Sequence, residues 1–152
     1  MERRIVVGVD GSPAAAAALR WALDQAAATG APQVEAVCAW ELPGYYALAG
    51  GMLPPPAEGL DPEQLAAKVL REAVTEVTGG QSGVEITELV LPGPAAAGLL
   101  DRAAGAELLV VGSRGLGGFA GVLLGSVSRH VVEHAPCPVV VVRAARADQH
   151  AP

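Results

Sequence analysis

At 152 residues the chain suits one domain that can bury most of its apolar surface without disulfides or metal. It is 51% hydrophobic but only 3% aromatic, so its core must be built from Ala, Val and Leu. With 10 Lys+Arg against 16 Asp+Glu, the formal net charge of −6 argues against coating nucleic acid, and any phosphate site must supply its own local donors.

Ile5-Val6-Val7-Gly8-Val9 is a short apolar run of the kind expected for a buried parallel strand. It follows Glu2-Arg3-Arg4 and meets Asp10 too soon for a signal peptide. Ser12 suits the cap and Pro13 the first position of an Ala-rich helix running to about Thr29, with Gly30 as its stop. Leu19, Ala22, Leu23 and Ala26 share one face of it at helical spacing.

A second strand covers about Gln33 to Trp40. Between Glu41 and Asp61 the text turns to Pro43-Gly44-Tyr45-Tyr46, Gly50-Gly51 and Pro54-Pro55-Pro56, which predicts a long flexible loop. Tyr45, Tyr46 and Met52 are read as loop residues rather than as a cover over a bound base.

Asp61-Pro62-Glu63 starts a helix to about Thr78, stopped by Gly79-Gly80. Val84 to Leu91 alternates like a half-buried strand, and Ala95 to Ala104 is a short helix after Pro92-Gly93-Pro94. Glu107 to Val111 is the fourth strand, Ser126 to about His134 the last helix, and Cys137 to Val142 the last strand. Residues 1–143 form one unit and 144–152 a disordered tail.

No apolar stretch approaches the roughly 20 residues needed to cross a bilayer. Cys38 and Cys137 lie outside any C-x-x-C pair and read as small buried thiols in a reducing cytoplasm. Strictly alternating strands and helices give a parallel sheet covered on both faces, with ligands bound outside the carboxyl ends of the strands. Asp10 and Gly112 both fall at such ends, hence on one rim.

The richest segment is Gly112-Ser113-Arg114-Gly115, followed after nine residues by Gly125-Ser126. A glycine at a strand exit permits positive φ or close approach to a ligand. A Gly-Ser pair opening a helix offers N–H groups and a hydroxyl where the helix dipole favours an anion. The spacing describes two amide-rich edges of one anion pocket, and a nucleoside phosphate is the natural occupant. Asp10 is either a turn residue or a carboxylate bonding ribose hydroxyls or a magnesium ion through water. Arg114 is either a solvated loop residue or a phosphate clamp.

Three competing patterns fail on context. Gly115 to Ala120 spells a dinucleotide fingerprint, but only one strand follows and no acidic residue ends it. Gly121 to Ser126 lacks the lysine of a Walker A loop. His130, Glu133 and His134 spell a zinc-protease pattern, but on a short helix with no third ligand; they read as solvated residues near a helix end.

Four segments together resemble the universal stress protein family in its ATP-binding, single-domain branch. They are Val7 to Ser12, Val110 to Gly115, Gly125-Ser126-Val127-Ser128, and Cys137 to Val142. The family's G-x2-G-x9-G-[ST] pattern is met by Gly112, Gly115, Gly125 and Ser126, and the likeness runs from Ile5 to Arg143.

The resemblance implies an α/β, Rossmann-like fold of the adenine nucleotide alpha hydrolase type. Its five-stranded parallel sheet has the order 3-2-1-4-5, and the site lies between strands one and four. It implies ATP or a related adenine nucleotide as ligand, with magnesium accompanying ATP. Asp10 would look toward the ribose and metal–phosphate region, and the Ala39 backbone toward adenine. Gly112, Gly115, Gly125 and Ser126 would hold phosphates, with Val127 and Ser128 extending that helix start.

It also implies a homodimer through about Pro138 to Arg143. Members with similar motifs are associated with AMP or cyclic AMP, which the glycines do not separate. No general base stands near the expected γ-phosphate, so the role is stress-response signalling rather than turnover. Slow hydrolysis, self-phosphorylation on Ser126 or Ser128, and a dimeric scaffold with a vestigial pocket stay open as alternatives.

Overall fold

Ser12 begins the first helix because its backbone is extended while its Oγ accepts a hydrogen bond from the Ala15 N–H at 3.2 Å. Pro13 then occupies the first turn, where its missing N–H costs nothing. The helix ends where Gly30 adopts φ 72°, a left-handed cap that satisfies the Ala26 carbonyl. In the computed structural model, which describes residues 3–31, 33–41, 61–114 and 124–144, this helix is α1 (Pro13–Thr29).

The other described elements are β1 (Arg4–Gly8), β2 (Gln33–Trp40), α2 (Pro62–Thr78), β3 (Glu85–Pro92), α3 (Ala95–Ala103), β4 (Leu108–Gly112), α4 (Ser126–His134) and β5 (Val139–Val142). All neighbouring strands pair in parallel, in the order β3-β2-β1-β4-β5. This is the expected topology. The flexible loop and the tail expected from the text lie, apart from their first or last residue, outside the described residues.

Strand ends shift slightly from the sequence reading. β1 stops at Gly8, one residue early, and β5 begins at Val139 rather than Cys137. Pro138 has no N–H to give, though its carbonyl already accepts from Leu109 N at 2.9 Å. β3 is not alternately buried as expected: its interior residues are all half-buried, because it is an edge strand with partial cover on both faces.

The sheet separates two small-residue cores. Ile5, Val7, Val34, Ala36, Cys38 and Val110 pack with the buried stripes of α1 and α2. Val6, Val37, Leu109 and Val111 pack with Leu99 and Ala103 of α3 and Val131 of α4. Successive strand residues face opposite ways, so a sheet covered on both faces needs apolar residues at both parities. On the α1 face, Leu19, Ala22 and Ala26 are buried as expected and Leu23 packs partly against them.

Glu35 breaks the apolar pattern. It is 2% exposed in β2, near the amino end of the sheet. Arg4 Nε lies 2.7 Å from its Oε2, an ion-pair contact at an angle outside hydrogen bonding. Arg102 donates to its Oε1 from Nε at 3.0 Å and also from Nη2. Arg4 Nη2 further donates to the Arg102 and Ala104 carbonyls, at 2.8 Å each, which ties β1 to the end of α3. A buried carboxylate is tolerable only with such partners.

No helix among the described residues is long and apolar enough to cross a membrane.

Candidate functional site at the sheet's carboxyl rim

The strand order reverses its direction of growth between β1 and β4. Crossovers on either side send the helices after these two strands to opposite faces, the arrangement in which open α/β sheets take ligands at the carboxyl ends of their strands. Gly8 is in register with Val37, and Asp10 and Ala39 each lie two residues further on. Val110 is in register with both Val7 and Val140, and Gly112 pairs with Val142. Asp10, Ala39, Gly112 and Arg114 therefore gather on one rim.

Asp10 is exposed, and its Oδ1 accepts from the Ser12 N–H at 2.9 Å, closing the turn into α1. Its charge also reaches inward. The buried Cys38 thiol is held above its ordinary value of 9.0, first by burial and then by the Asp10 carboxylate. Ala39 is half-buried in register with Leu91, its backbone lying close to the end of β2.

Gly112 does not turn the chain with positive φ, one of the two uses expected of it. A Cβ built there would lie 2.7 Å from Ala14 C, 2.8 Å from Ala14 Cβ and 2.9 Å from Ala14 O. What demands glycine is the first turn of α1, packed directly on the exit of β4. The residue joins the two halves of the rim.

The start of α4 lies against the exit of β4. Gly125 is extended, with φ −72° and ψ 170°, and no side chain caps the helix. Its own N–H is spent on the Ser113 carbonyl at 2.7 Å. The donors left are the amides of Ser126, Val127 and Ser128, which have no carbonyl one turn back. Ser126 and Val127 are exposed. Ser128, by contrast, is 3% exposed, with Oγ 3.1 Å from both the Ser113 and Gly125 carbonyl oxygens. Gly115 lies outside the described residues.

The helix starts differ in their openness. At α1 the amides of Ser12 and Ala15 are taken by Asp10 and Ser12 side chains, and Pro13 has none. Asp61 caps α2 through the Glu63 N–H at 2.9 Å. α3 is also without a side-chain cap, but Pro94 precedes it and its first turn is all alanine. Only α4, among these four, starts with a hydroxyl residue and is bonded to the exit of β4.

Magnesium commonly takes one or two carboxylates plus substrate phosphates. Asp10 fits that modest protein share, and among the described residues no group of three or more His, Cys, Asp or Glu could hold a metal alone. His130 and His134 stack with ring centroids 4.4 Å apart, and His134 Nδ1 lies 2.9 Å from the His130 carbonyl oxygen. Sequence reasoning missed the Ser113 carbonyl as the joint of the site, since a backbone acceptor leaves no signature. It missed the Glu35 ion cluster as well, whose partners lie far apart in the chain.

The universal stress protein family model matches residues 1–143. A universal stress protein of Mycobacterium tuberculosis is 33% identical over 152 residues, covering 98% of this chain and 51% of its own length. One from Mycolicibacterium smegmatis is 36% identical over 140 residues, covering 91% and 45%. The chain thus spans about half the length of these curated relatives. Among solved structures, the universal stress protein UspA from Lactobacillus plantarum superposes with a TM-score of 0.72 at 25% identity, covering 93% of this chain and 98% of that one. A universal stress protein in complex with cAMP gives 0.64 at 29% identity, covering 95% and 98%. The chain belongs to the universal stress protein family.

Proposed function

We propose that this protein binds an adenine nucleotide across the carboxyl ends of β1 and β4 and works as a stress-response binding module rather than as a fast enzyme. The observation that carries this reading is the uncapped start of α4, bonded to the exit of β4 beside Asp10. The amides of Ser126, Val127 and Ser128, with the Ser126 hydroxyl, are the phosphate donors. Gly112 and Arg114 stand at the exit of β4, and Gly115 of the same motif lies outside the described residues.

Each hydrogen bond to a charged phosphate contributes about 1.5–3 kcal/mol. The opposing net charge acts from a distance and is screened within about 8 Å at physiological salt. Local donors win. Asp10 bonds ribose hydroxyls or reaches magnesium through water, and the Ala39 backbone meets the base. The family member solved with cAMP supports an adenine nucleotide as the ligand class.

Acid extraction of the purified protein, with mass identification of any released nucleotide, is the direct test. Titration calorimetry with ATP, AMP and cyclic AMP should give micromolar binding, lost in Gly125→Val and weakened in Asp10→Ala, without sustained phosphate release. No co-purified nucleotide and no thermal shift from any of the three would leave the dimeric scaffold as the better account.

The edge strand β5 supports pairing with a second copy. Leu109 N donates to Pro138 O and Ser113 N to Val142 O, so the intervening odd residues direct their backbone away from β4. Val141→Pro removes one outward N–H, and sedimentation should turn from dimer to monomer. An unchanged dimer would refute this mode of pairing.

A further inference from the structure

Ser128 Oγ bonded to the Gly125 carbonyl is a local back-bond of the kind serine commonly makes in helices. Its second contact, to Ser113 O at 3.1 Å, spans fifteen residues and joins α4 to the exit of β4. The Ser113 carbonyl receives the Gly125 N–H as well, at 2.7 Å, so the first turn of α4 reaches it twice, with the single Ser128 hydroxyl proton shared between the Ser113 and Gly125 carbonyls. On its other side, the Ser113 N–H donates to Val142 O at 2.7 Å, which anchors the same residue to β5. Ser113 is 7% exposed and Ser128 3%, so water does not readily replace either partner.

From this juxtaposition we infer that Ser128 is a positioning residue whose buried hydroxyl clasps the first turn of α4 to the exit of β4. The clasp fixes the open amides at the start of α4 against the exit of β4. The inference rests on the nucleotide-binding reading above and deepens it. Ser128 supplies its backbone amide to the phosphates while its side chain faces the protein. Its hydroxyl is therefore neither a ligand contact nor a phosphate acceptor, and of the two serines only Ser126 is exposed for such chemistry. Hydrogen bonds from amides to phosphate hold only within about 2.7–3.2 Å, so a small loosening of one edge removes bonds outright.

Two readouts test this. In nucleotide-free protein, amide hydrogen exchange at Gly125 reports whether the turn stays closed. Calorimetry gives affinities for ATP and for adenosine, which has no phosphate. Loss of one hydrogen bond predicts about a five- to tenfold fall in Gly125 protection and in ATP affinity for S128A. Adenosine binding should stay level, and S128T should restore wild-type values. S128C, a weaker donor of similar size, should fall between the two and serves if the threonine methyl is not accommodated.

A merely structural serine would lower the melting temperature of S128A without moving the ratio of ATP to adenosine affinity. Unchanged Gly125 protection, or an unchanged ratio in a protein that binds ATP, overturns the clasp alone. A wild-type protein that binds no adenine nucleotide overturns the functional reading and the clasp's role with it.

Discussion

Replacing Gly112 by alanine adds one methyl group where the chain has no room for it. The new Cβ would sit 2.7–2.9 Å from three atoms of Ala14, two of them main chain. Ordinary carbon contacts lie at about 3.5–4.0 Å, so roughly 0.7 Å of overlap must be relieved. A side-chain tip could rotate away, but the backbone of a capped helix cannot. Gly112 is not in the left-handed region, so the whole effect is steric.

Over-packing of this kind costs about 1–3 kcal/mol, and contact with main chain places Gly112→Ala in the upper half of that range. At about 2–4 °C per kcal/mol for a domain of this size, the melting midpoint should fall by roughly 5–10 °C. Thermal and urea unfolding followed by circular dichroism measure it. Gly83→Ala is the control, since a Cβ there meets nothing within 4 Å. If the two variants unfold together, α1 does not press on β4 as described and the account of the rim fails. The displaced turn carries Ser12 and adjoins Asp10, so nucleotide affinity should fall with stability.

Ser12→Ala removes the cap of α1 and should cost about 1 kcal/mol in urea unfolding; a change within a few tenths would deny the cap its role. Glu35→Ala leaves Arg4, whose side chain is 13% exposed, without its carboxylate, while Arg102 at 42% can turn to water. Loss of about 3 kcal/mol is expected, the low end for a broken buried pair, and Glu35→Gln should lose less. The Cys38 thiol ionises at higher pH in the fold than in the unfolded chain, so it contributes stability at neutral pH that is lost as pH climbs past 9.0. Urea midpoints from about pH 8 to about pH 10 should decline less steeply in Cys38→Ala. Part of the slope should persist through Cys137, whose thiol burial raises against the opposing charge of Arg4.

Local chemistry made most of the elements legible. Ser12-Pro13 and Asp61-Pro62 are strong local starts for helices, and the extents of α1, α2, β2 and α4 agree with the approximate bounds of the sequence reading. Alternation of strand and helix, with right-handed crossovers, then restricts the topology, and the glycine motif pointed to the carboxyl rim as the place for a ligand.

What the chain text could not decide was which atom each residue uses. Gly112 was open to a turn, to a ligand, or to both; the packing of Ala14 shows what excludes a side chain there. Ser128 read as part of a ligand-facing helix start, but its hydroxyl turns inward to Ser113 O. Glu35 looked like one more strand residue until Arg102, sixty-seven positions away, closed on it. Capping and periodicity act over a few residues and leave their mark in order along the chain. Close approach and ion pairing depend on three-dimensional distance, which exists only once the sheet has brought remote segments together.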